Sequence, residues 1–173
     1  MDRTNGFHIR PGTVEDLPAL EWDGEYKHYR QVYRAALEEA RRGHRALLVA
    51  QVDEKVVGQI FLQFESPIPI PGVGGKVGYL YAFRVRPERR GQGIGRALLA
   101  AAEKKLYLSG AEWAVIAVAQ TNREARRLYE RQGYLWLTDD PGEWSYTDER
   151  GVARSVREPA HLLWKTLAAP DSG

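Results

Sequence analysis

The most constraining feature of the sequence is a strand, a glycine-rich turn, a helix and a second strand that follow one another directly. Val77–Val85 has the composition of a strand, and Pro87 ends it because proline cannot donate to a β ladder. Trp113–Ala119 is a nearly continuous apolar run, as expected for a strand covered on both faces. A helix that crosses over between two such strands makes them parallel, so the sequence predicts a parallel pair at the centre of a sheet.

The helix between these strands extends to about Leu108, and Gly110 closes it. Its apolar face is formed by Leu98, Ala102 and Leu106. The other elements are predicted from the spacing of apolar residues and from capping and turn residues. These are a strand at His8–Arg10, a capped helix from about Val14, a helix over about Tyr26–Arg42, a hairpin of Ala46–Val52 and Val56–Phe64, a loop at Ser66–Lys76, a helix from the capping box Thr121–Glu124 to about Gln132, and closing strands at Tyr134–Leu137 and His161–Leu167. Their order predicts an α/β (α+β) sheet with helices on its faces.

Composition sets the class of protein. With 173 residues, 43% of them hydrophobic and 28% charged, the chain is expected to form a single domain over 1–173, with an ordered core at about 7–168. The sequence has no apolar run near 18 residues and no signal-peptide pattern, so we expect a cytoplasmic protein that is not bound to a membrane. Cysteine is absent and the four histidines are scattered, so no metal site is expected.

The turn Arg90-Gly91-Gln92-Gly93-Ile94-Gly95 has the properties of an anion site. Glycine leaves backbone N–H groups uncovered beside the positive end of a helix dipole. A tight turn that only requires glycine is the alternative. Two phosphate-binding motifs are excluded by spacing: a dinucleotide fingerprint needs a third glycine where Arg96 or Leu98 stands, and a P-loop needs lysine and Ser or Thr where Arg96 and Ala97 stand.

A wider pattern resembles the GCN5-related N-acetyltransferase (GNAT) superfamily over nearly the whole chain. The matching residues are Val85-x-Pro87, Arg90-x-x-Gly93-x-Gly95, Asn122-x-x-Ala125-x-x-x-Tyr129-x-x-x-Gly133-Tyr134, Ile9-Arg10 and Val57-Gly58. The resemblance implies the GNAT fold, a mixed twisted sheet of about seven strands flanked by about four helices. It also implies transfer of an acetyl (acyl) group from acetyl-CoA to a primary amine of a small molecule or peptide, by direct attack in a ternary complex.

The same resemblance implies a cofactor site. In the family the strand before the glycine turn splays from its neighbour, and its exposed backbone binds the pantetheine arm of CoA. The backbone N–H of Val85 would also be the oxyanion donor to the thioester carbonyl. The turn from Gly91 to Arg96 would wrap the pyrophosphate. The full set implied for CoA is Phe83, Arg84, Val85, Arg90, Gly91, Gln92, Gly93, Ile94, Gly95, Arg96, Asn122 and Tyr129.

Two residues of the later motif have structural alternatives. Asn122 matches the asparagine that contacts the CoA arm in the family, but it also lies in a capping box. Tyr129 matches the general acid that protonates the departing CoA thiolate, a role that a phenol with a pKa of about 10 can fill. It also shares a helix face with Ala125 and Leu128, as a core aromatic would. We expect the functional role for both.

The general base is missing from the positions that the family commonly uses. The family often has a carboxylate at the position of Tyr81, and its ribosomal-protein N-terminal acetyltransferases have a glutamate at the position of Ala117. Glu65, beside the Pro/Gly-rich loop, is the candidate base that remains, and an ordinary solvated charge is its alternative. A water held by Tyr79 or Tyr81 is the competing hypothesis.

Acceptor pockets in the family are built by the first helices and by loops beside the sheet. The corresponding candidates are Trp22, Tyr26, Tyr29 and Tyr81, in acidic and aromatic surroundings that would suit a cationic amine. Packing of these aromatic residues in the core is the alternative. Homodimerisation is common in the family, so a homodimer is a further possibility.

Two other functions are weighed against acyl transfer. The missing carboxylates at positions 81 and 117 favour a non-catalytic acyl-CoA-binding module. Nucleic-acid binding ranks last, because the net charge is only +2 and CoA phosphates already account for the local basic cluster. That cluster consists of Arg84, Arg86, Arg89, Arg90 and Arg96. We therefore expect no nucleic-acid partner.

Overall fold

The computed structural model describes residues 2–4, 6–70 and 72–169. The strands are β1 (Asp2–Thr4), β2 (Phe7–Pro11), β3 (Arg45–Val52), β4 (Lys55–Gln63), β5 (Val77–Val85), β6 (Trp113–Ala119), β7 (Leu135–Asp140), β8 (Glu143–Thr147), β9 (Ala153–Arg157) and β10 (Ala160–Thr166). The α-helices are α1 (Arg30–Arg41), α2 (Ile94–Leu108) and α3 (Arg123–Arg131), and 3-10 segments lie at Val14–Gly24, Lys27–Tyr29 and Pro87–Arg89.

One mixed sheet contains most of the strands, in the order β1-β2-β3-β4-β5-β6-β10-β7. β5 and β6 are parallel, which confirms the pairing predicted from the helix between them, and the other neighbours are antiparallel. The predicted mixed sheet of about seven strands is confirmed, and the short β1 adds one strand at its edge. None of the described helices is long and apolar enough to cross a membrane.

Apolar residues cover both faces of this sheet. On one face α2 and α3 pack over a cluster that includes Ile60 and Leu98, and on the other α1 and the Val14–Gly24 segment pack over Leu20 and Phe61. Ile60 and Phe61 are consecutive in β4, each with 0% exposure. Because successive strand residues point to opposite faces, β4 lies inside both clusters and joins them.

Two helix starts differ from the prediction. The helix expected from about Val14 is a 3-10 segment that contains Pro18 and ends with Trp22 and Asp23 at φ values of 47° and 58°. Proline lacks the N–H that continues a helix, and positive φ breaks it. The helix expected from about Tyr26 has a 3-10 first turn and becomes α-helical at Arg30.

No strand or helix was predicted for the polar segment after Asp140. It contains β8 and β9, which form a two-stranded sheet of their own. The connecting turn is organised by Asp148, whose Oδ1 accepts hydrogen bonds from the N–H groups of Arg150 and Val152, both at 2.9 Å. Polar composition hid the hairpin, because its side chains are mostly exposed and give little apolar period.

A β-bulge in β5 opens the centre of the sheet. Opposite Ile60 of β4, β5 places two residues, Ala82 and Phe83, and Ala82 has a φ of 48°. A bulge of this kind bends its strand. β6 pairs with Val77–Leu80 of β5, and beyond Leu80 the two strands separate. The sheet therefore has a wedge-shaped gap at the carboxyl ends of its two parallel strands.

Candidate active site

A cleft of about 890 Å³ occupies the gap between β5 and β6. It is bordered by residues from both strand ends, the glycine turn, α3 and the segment before β10. The lining residues are Tyr26, Tyr29, Tyr81, Ala82, Phe83, Arg84, Val85, Arg89, Arg90, Gly91, Gly93, Ile94, Gly95, Arg96, Ile116, Ala117, Val118, Ala119, Asn122, Glu124, Ala125, Leu128, Tyr129, Arg131, Gln132 and Glu158.

The glycine turn presents uncovered backbone to this cleft. Gly91 and Gly93 have φ values of 75° and 85°, and no atom lies within 4 Å of the place where a Cβ would stand at either residue. Because α2 begins at Ile94, the N–H groups of its first turn have no acceptor within the helix. Five arginines line the same cleft, namely Arg84, Arg89, Arg90, Arg96 and Arg131. These groups together suit a ligand that carries several phosphate charges.

The backbone of Val85 faces the gap between the strands. Arg86 N donates to Val57 O of β4 at 2.8 Å. Successive N–H groups of an antiparallel strand point to opposite sides, so the N–H of Val85 points away from β4. β6 does not pair with β5 at this level. The Val85 carbonyl accepts a hydrogen bond from Arg90 Nε at 3.1 Å, which ties the strand end to the glycine turn.

Tyr129 lies on α3, beneath the cleft, with 5% exposure. Its ring centroid is 6.0 Å from that of Phe83 and 6.1 Å from that of Tyr134. The hydroxyl makes no hydrogen bond to any other described residue, so its proton is available to a ligand. Burial raises the pKa of Tyr129 well above its ordinary value, and the positive charge of Arg84 opposes this rise. The phenol therefore stays protonated at neutral pH and can act as a donor.

Asn122 precedes α3 and has a structural role. Its Oδ1 accepts a hydrogen bond from Ala125 N at 3.1 Å, so it is the N-cap of the helix. The predicted capping box starting at Thr121 does not form, because the N-cap is Asn122 and its N3 residue, Ala125, has no side chain that could complete a box. Asn122 also lines the cleft, and its amide nitrogen makes no hydrogen bond to the described part of the chain.

Aromatic side chains form the other end of the cleft. Tyr26 and Tyr29 line it. Outside the cleft lining, Trp144 and Tyr146 of β8 pack against Tyr29, with ring centroids 5.8 and 5.0 Å from that of Tyr29. The guanidinium carbon of Arg84 stands 4.1 Å from the ring centroid of Tyr26. Burial raises the pKa of Tyr29, Arg84 lowers it, and the charge of Glu158 adds to the rise.

Tyr81 and Ala117, the two positions where GNAT proteins often carry a carboxylate, both line the cleft. Tyr81 contributes a phenol whose oxygen accepts a hydrogen bond from Arg45 at 2.7 Å, and burial raises the pKa of this phenol. Ala117 contributes a methyl group. Burial raises the pKa of Tyr79 to about 12, but Tyr79 is not among the lining residues.

Three of the predicted site residues lie outside the cleft lining. Glu65 is exposed beyond the end of β4. Trp22 is buried, with the guanidinium carbon of Arg86 at 5.2 Å from its ring centroid. Gln92 is exposed in the glycine turn. The other predicted residues are brought together in the cleft, although they come from distant parts of the chain.

Sequence reasoning did not assign Arg89, Arg131 and Glu158 to the site. Arg89 adjoins the glycine turn, so its place in the basic cluster was the available signal. Glu158 follows β9, in the polar segment between the two predicted closing strands, and no motif singled it out. Within the described residues no group of three or more His, Cys, Asp or Glu side chains is arranged to hold a metal ion.

Comparison with known proteins agrees with this geometry. A family model described as "Acetyltransferase (GNAT) family" matches residues 13–134. The mycothiol acetyltransferase of Thermobispora bispora is 39% identical over 69 residues, which make up 39% of this chain and 23% of that protein. The match therefore spans less than a quarter of that relative's length.

Solved structures have the same fold. Ard1 from Thermoplasma volcanium superposes with a TM-score of 0.71 at 18% identity, covering 94% of this chain and 99% of that one. The protein yncA from Salmonella typhimurium, solved with its cofactor acetyl-CoA, gives 0.68 at 21% identity, covering 98% and 100%. The ribosomal-protein-S18-alanine N-acetyltransferase from Escherichia coli gives 0.67 at 19% identity, covering 96% and 97%.

Proposed function

We propose, from the premise that the chain belongs to the acetyltransferase (GNAT) family, that it transfers the acetyl group of acetyl-CoA to a primary amine of a small molecule or peptide. Direct attack in a ternary complex is the proposed route. The observation that carries the proposal is the convergence of the glycine turn, the strand gap at Val85 and the hydroxyl of Tyr129 on one cleft.

The chain's residues fit acetyl-CoA, which would supply a thioester activated for attack by an amine. The N–H groups at Gly91–Ile94 and the guanidinium groups of Arg89, Arg90, Arg96 and Arg131 would bind its phosphates. The strand gap offers hydrogen-bonding backbone to the pantetheine arm. The arginines that line the cleft include most of the basic cluster, which supports phosphate binding over nucleic-acid binding.

Two groups would act on the reacting atoms. The N–H of Val85 points into the gap, where it would donate to the carbonyl oxygen as negative charge develops during attack. Tyr129 would donate to the sulfur as the carbon–sulfur bond breaks and the nitrogen–carbon bond forms. Its raised pKa keeps the phenol protonated at neutral pH, so that it can donate a hydrogen bond to the sulfur as negative charge builds there.

The attacking amine must lose a proton to the chain or to water. Glu65 was the predicted base, and its exposed position outside the cleft does not support that role. Glu158 lines the cleft and influences Tyr29 at its acceptor end. We therefore propose Glu158 as the acceptor of this proton, directly or through a water beside Tyr81.

Thiol release from acetyl-CoA across a panel of amines tests the proposed function. The Tyr129→Phe variant is expected to lose about 100- to 10,000-fold in kcat while it still binds CoA, because a ring without its hydroxyl keeps the packing but not the proton. Tyr79→Phe is the matched control, since Tyr79 is a half-buried tyrosine that does not line the cleft. Equal rates for Tyr129→Phe and the wild type would exclude the general-acid role.

A non-catalytic acyl-CoA-binding module is the second candidate, because no acidic side chain stands at positions 81 and 117. Tight CoA binding without thiol release for any amine would support this candidate against the enzyme. A cytoplasmic location, a single domain and a homodimer remain predictions from the sequence.

A further inference from the structure

Arg84 stands at the acceptor end of the cleft and is fixed there by aromatic contacts. It lines the cleft and is half-buried. Its guanidinium carbon lies 4.1 Å from the ring centroid of Tyr26 and 5.8 Å from that of Tyr29, and one of its nitrogens donates to Tyr33 Oη at 2.8 Å. Stacking and this hydrogen bond orient the plane of the guanidinium and leave most of its donors free.

The described residues provide no carboxylate partner for Arg84. No acidic oxygen among them lies within 4 Å of its nitrogens, whereas Arg86, two residues later, has Asp23 at 3.2 Å. Gln59 is its cross-strand neighbour, fully buried, and the side-chain nitrogen and oxygen of this residue have no hydrogen-bond partner among the described residues. A half-buried cation that no carboxylate contacts attracts an anionic group from a ligand.

Resting on the proposed function, we infer that the acceptor is a primary amine that also carries a carboxylate close to the nitrogen, as an α-amino acid does, and that Arg84 binds this carboxylate. The guanidinium offers paired donors that match the two oxygens of a carboxylate. It would repel a second ammonium group, so polyamines are disfavoured as acceptors. Glu158, an acidic residue of the same cleft, is available to the amine.

Matched pairs of amines test this inference. Each pair contains an amino acid and the same amine without its carboxylate: phenylalanine and phenethylamine, tryptophan and tryptamine, leucine and isoamylamine. Binding to the CoA-saturated protein is measured by ligand-observed NMR titration, and turnover is measured by thiol release. We expect the carboxylated members to bind and react about 10- to 100-fold better, the range for a charge-assisted hydrogen-bonded pair.

Two variants separate the role of Arg84 from a general loss of positive charge. Arg84→Met should bring the preference within each pair to about 1. Both members of a pair are measured on the same CoA-saturated variant, so any change in CoA affinity or in overall rate cancels from this ratio. Arg86→Met removes a neighbouring arginine that also contacts an aromatic ring but does not line the cleft, and it should keep the preference.

The possible results distinguish this inference from the proposed function. Equal or better binding of the carboxylate-free amines, no binding of any amino acid, or a preference that survives Arg84→Met would overturn the inference. Arg84-dependent binding of amino acids without any thiol release would support the inference and contradict the proposed acetyl transfer.

Discussion

At the scale of single residues, the environment decides what each charged group can do. Arg84 and Arg86 are two positions apart on one strand end, yet one faces neutral aromatic rings in the cleft and the other pairs with Asp23 outside it. Arg10 makes a third arrangement, donating from two nitrogens to the carboxylate of Asp16 at 2.8 and 2.7 Å. Asp16 is buried, so this pair holds β2 against the Val14–Gly24 segment.

The loss of stability caused by replacing Asp16 should depend on pH. Hydrogen bonds from Arg10 hold the pKa of Asp16 below its ordinary value. The ionised carboxylate of Asp16 therefore stabilises the folded state at any pH above its unfolded-state pKa of about 3.9. This stabilisation is lost as the pH falls through the lower pKa that Asp16 has in the folded state. We expect Asp16→Asn to lower the free energy of unfolding at pH 7 by about 2 kcal/mol.

Urea unfolding at pH 7 and at steps down to pH 3 measures this effect. The difference between the wild type and Asp16→Asn should shrink at the acidic end. Glu15→Gln is the control, because Glu15 is an exposed neighbour, and it should change little at any pH. A difference for Asp16→Asn that is the same at every pH would show that ionisation of the pair does not matter.

At the scale of elements, the bulge in β5 and the cap of α3 position the site. The bulge at Ala82 separates β5 from β6, and the cap at Asn122 places the start of α3 at the resulting cleft. The hairpin of β8 and β9 packs Trp144 and Tyr146 against Tyr29, a residue that lines the cleft. In each of these elements the course of the backbone, as well as the side chains, positions the site.

The two roles of Asn122 can be separated by two substitutions. Asn122→Ala removes the cap and should lower the free energy of unfolding by about 1 kcal/mol, whereas Asn122→Asp keeps a capping oxygen and should remain close to the wild type. If the amide nitrogen binds the CoA arm, both variants should raise the KM for acetyl-CoA several-fold. An unchanged KM in Asn122→Asp would limit this residue to capping.

At the scale of the whole molecule, β4 couples the two faces of the sheet. Ile60 belongs to the cluster under α2 and α3, and Phe61 to the cluster under α1. Both are completely buried, so the clusters share one strand and should unfold together. The Glu103 side chain adds a polar link within the first cluster, accepting from Tyr134 Oη at 3.0 Å and from Lys165 Nζ at 2.7 Å.

Truncation on either face should therefore destabilise the whole domain. We expect Ile60→Ala and Phe61→Ala each to lower the free energy of unfolding by about 2–5 kcal/mol, because each leaves a cavity in a closed core. Circular dichroism and tryptophan fluorescence should report one transition with a common midpoint. Leu108→Ala, at a residue with 69% exposure, is the control and should have little effect. Separate transitions for the two probes would contradict the coupling.

Local patterns predicted most of the fold because the relevant signals were local. β5 and β6 have the bounds that their composition and flanking Pro87 indicated, and α2 ends before Gly110, whose φ is 97°. The hairpin of β8 and β9 was missed, because an exposed hairpin is stabilised by its own turn and gives no apolar alternation. Trp22 was placed in the acceptor pocket, and the structure places it beneath Arg86.

The sequence by itself determined the order of elements, the parallel pair at the centre of the sheet and the glycine turn that opens α2. These features depend on residues that are close together in the chain, because steric limits on the backbone, local hydrogen bonds and the spacing of apolar residues act over short stretches. Only the tertiary structure decided that Arg84 faces the acceptor end without an acidic partner, and that Glu158 rather than Glu65 lines the cleft. Such placements depend on the bulge and on packing between distant segments, which local patterns do not contain.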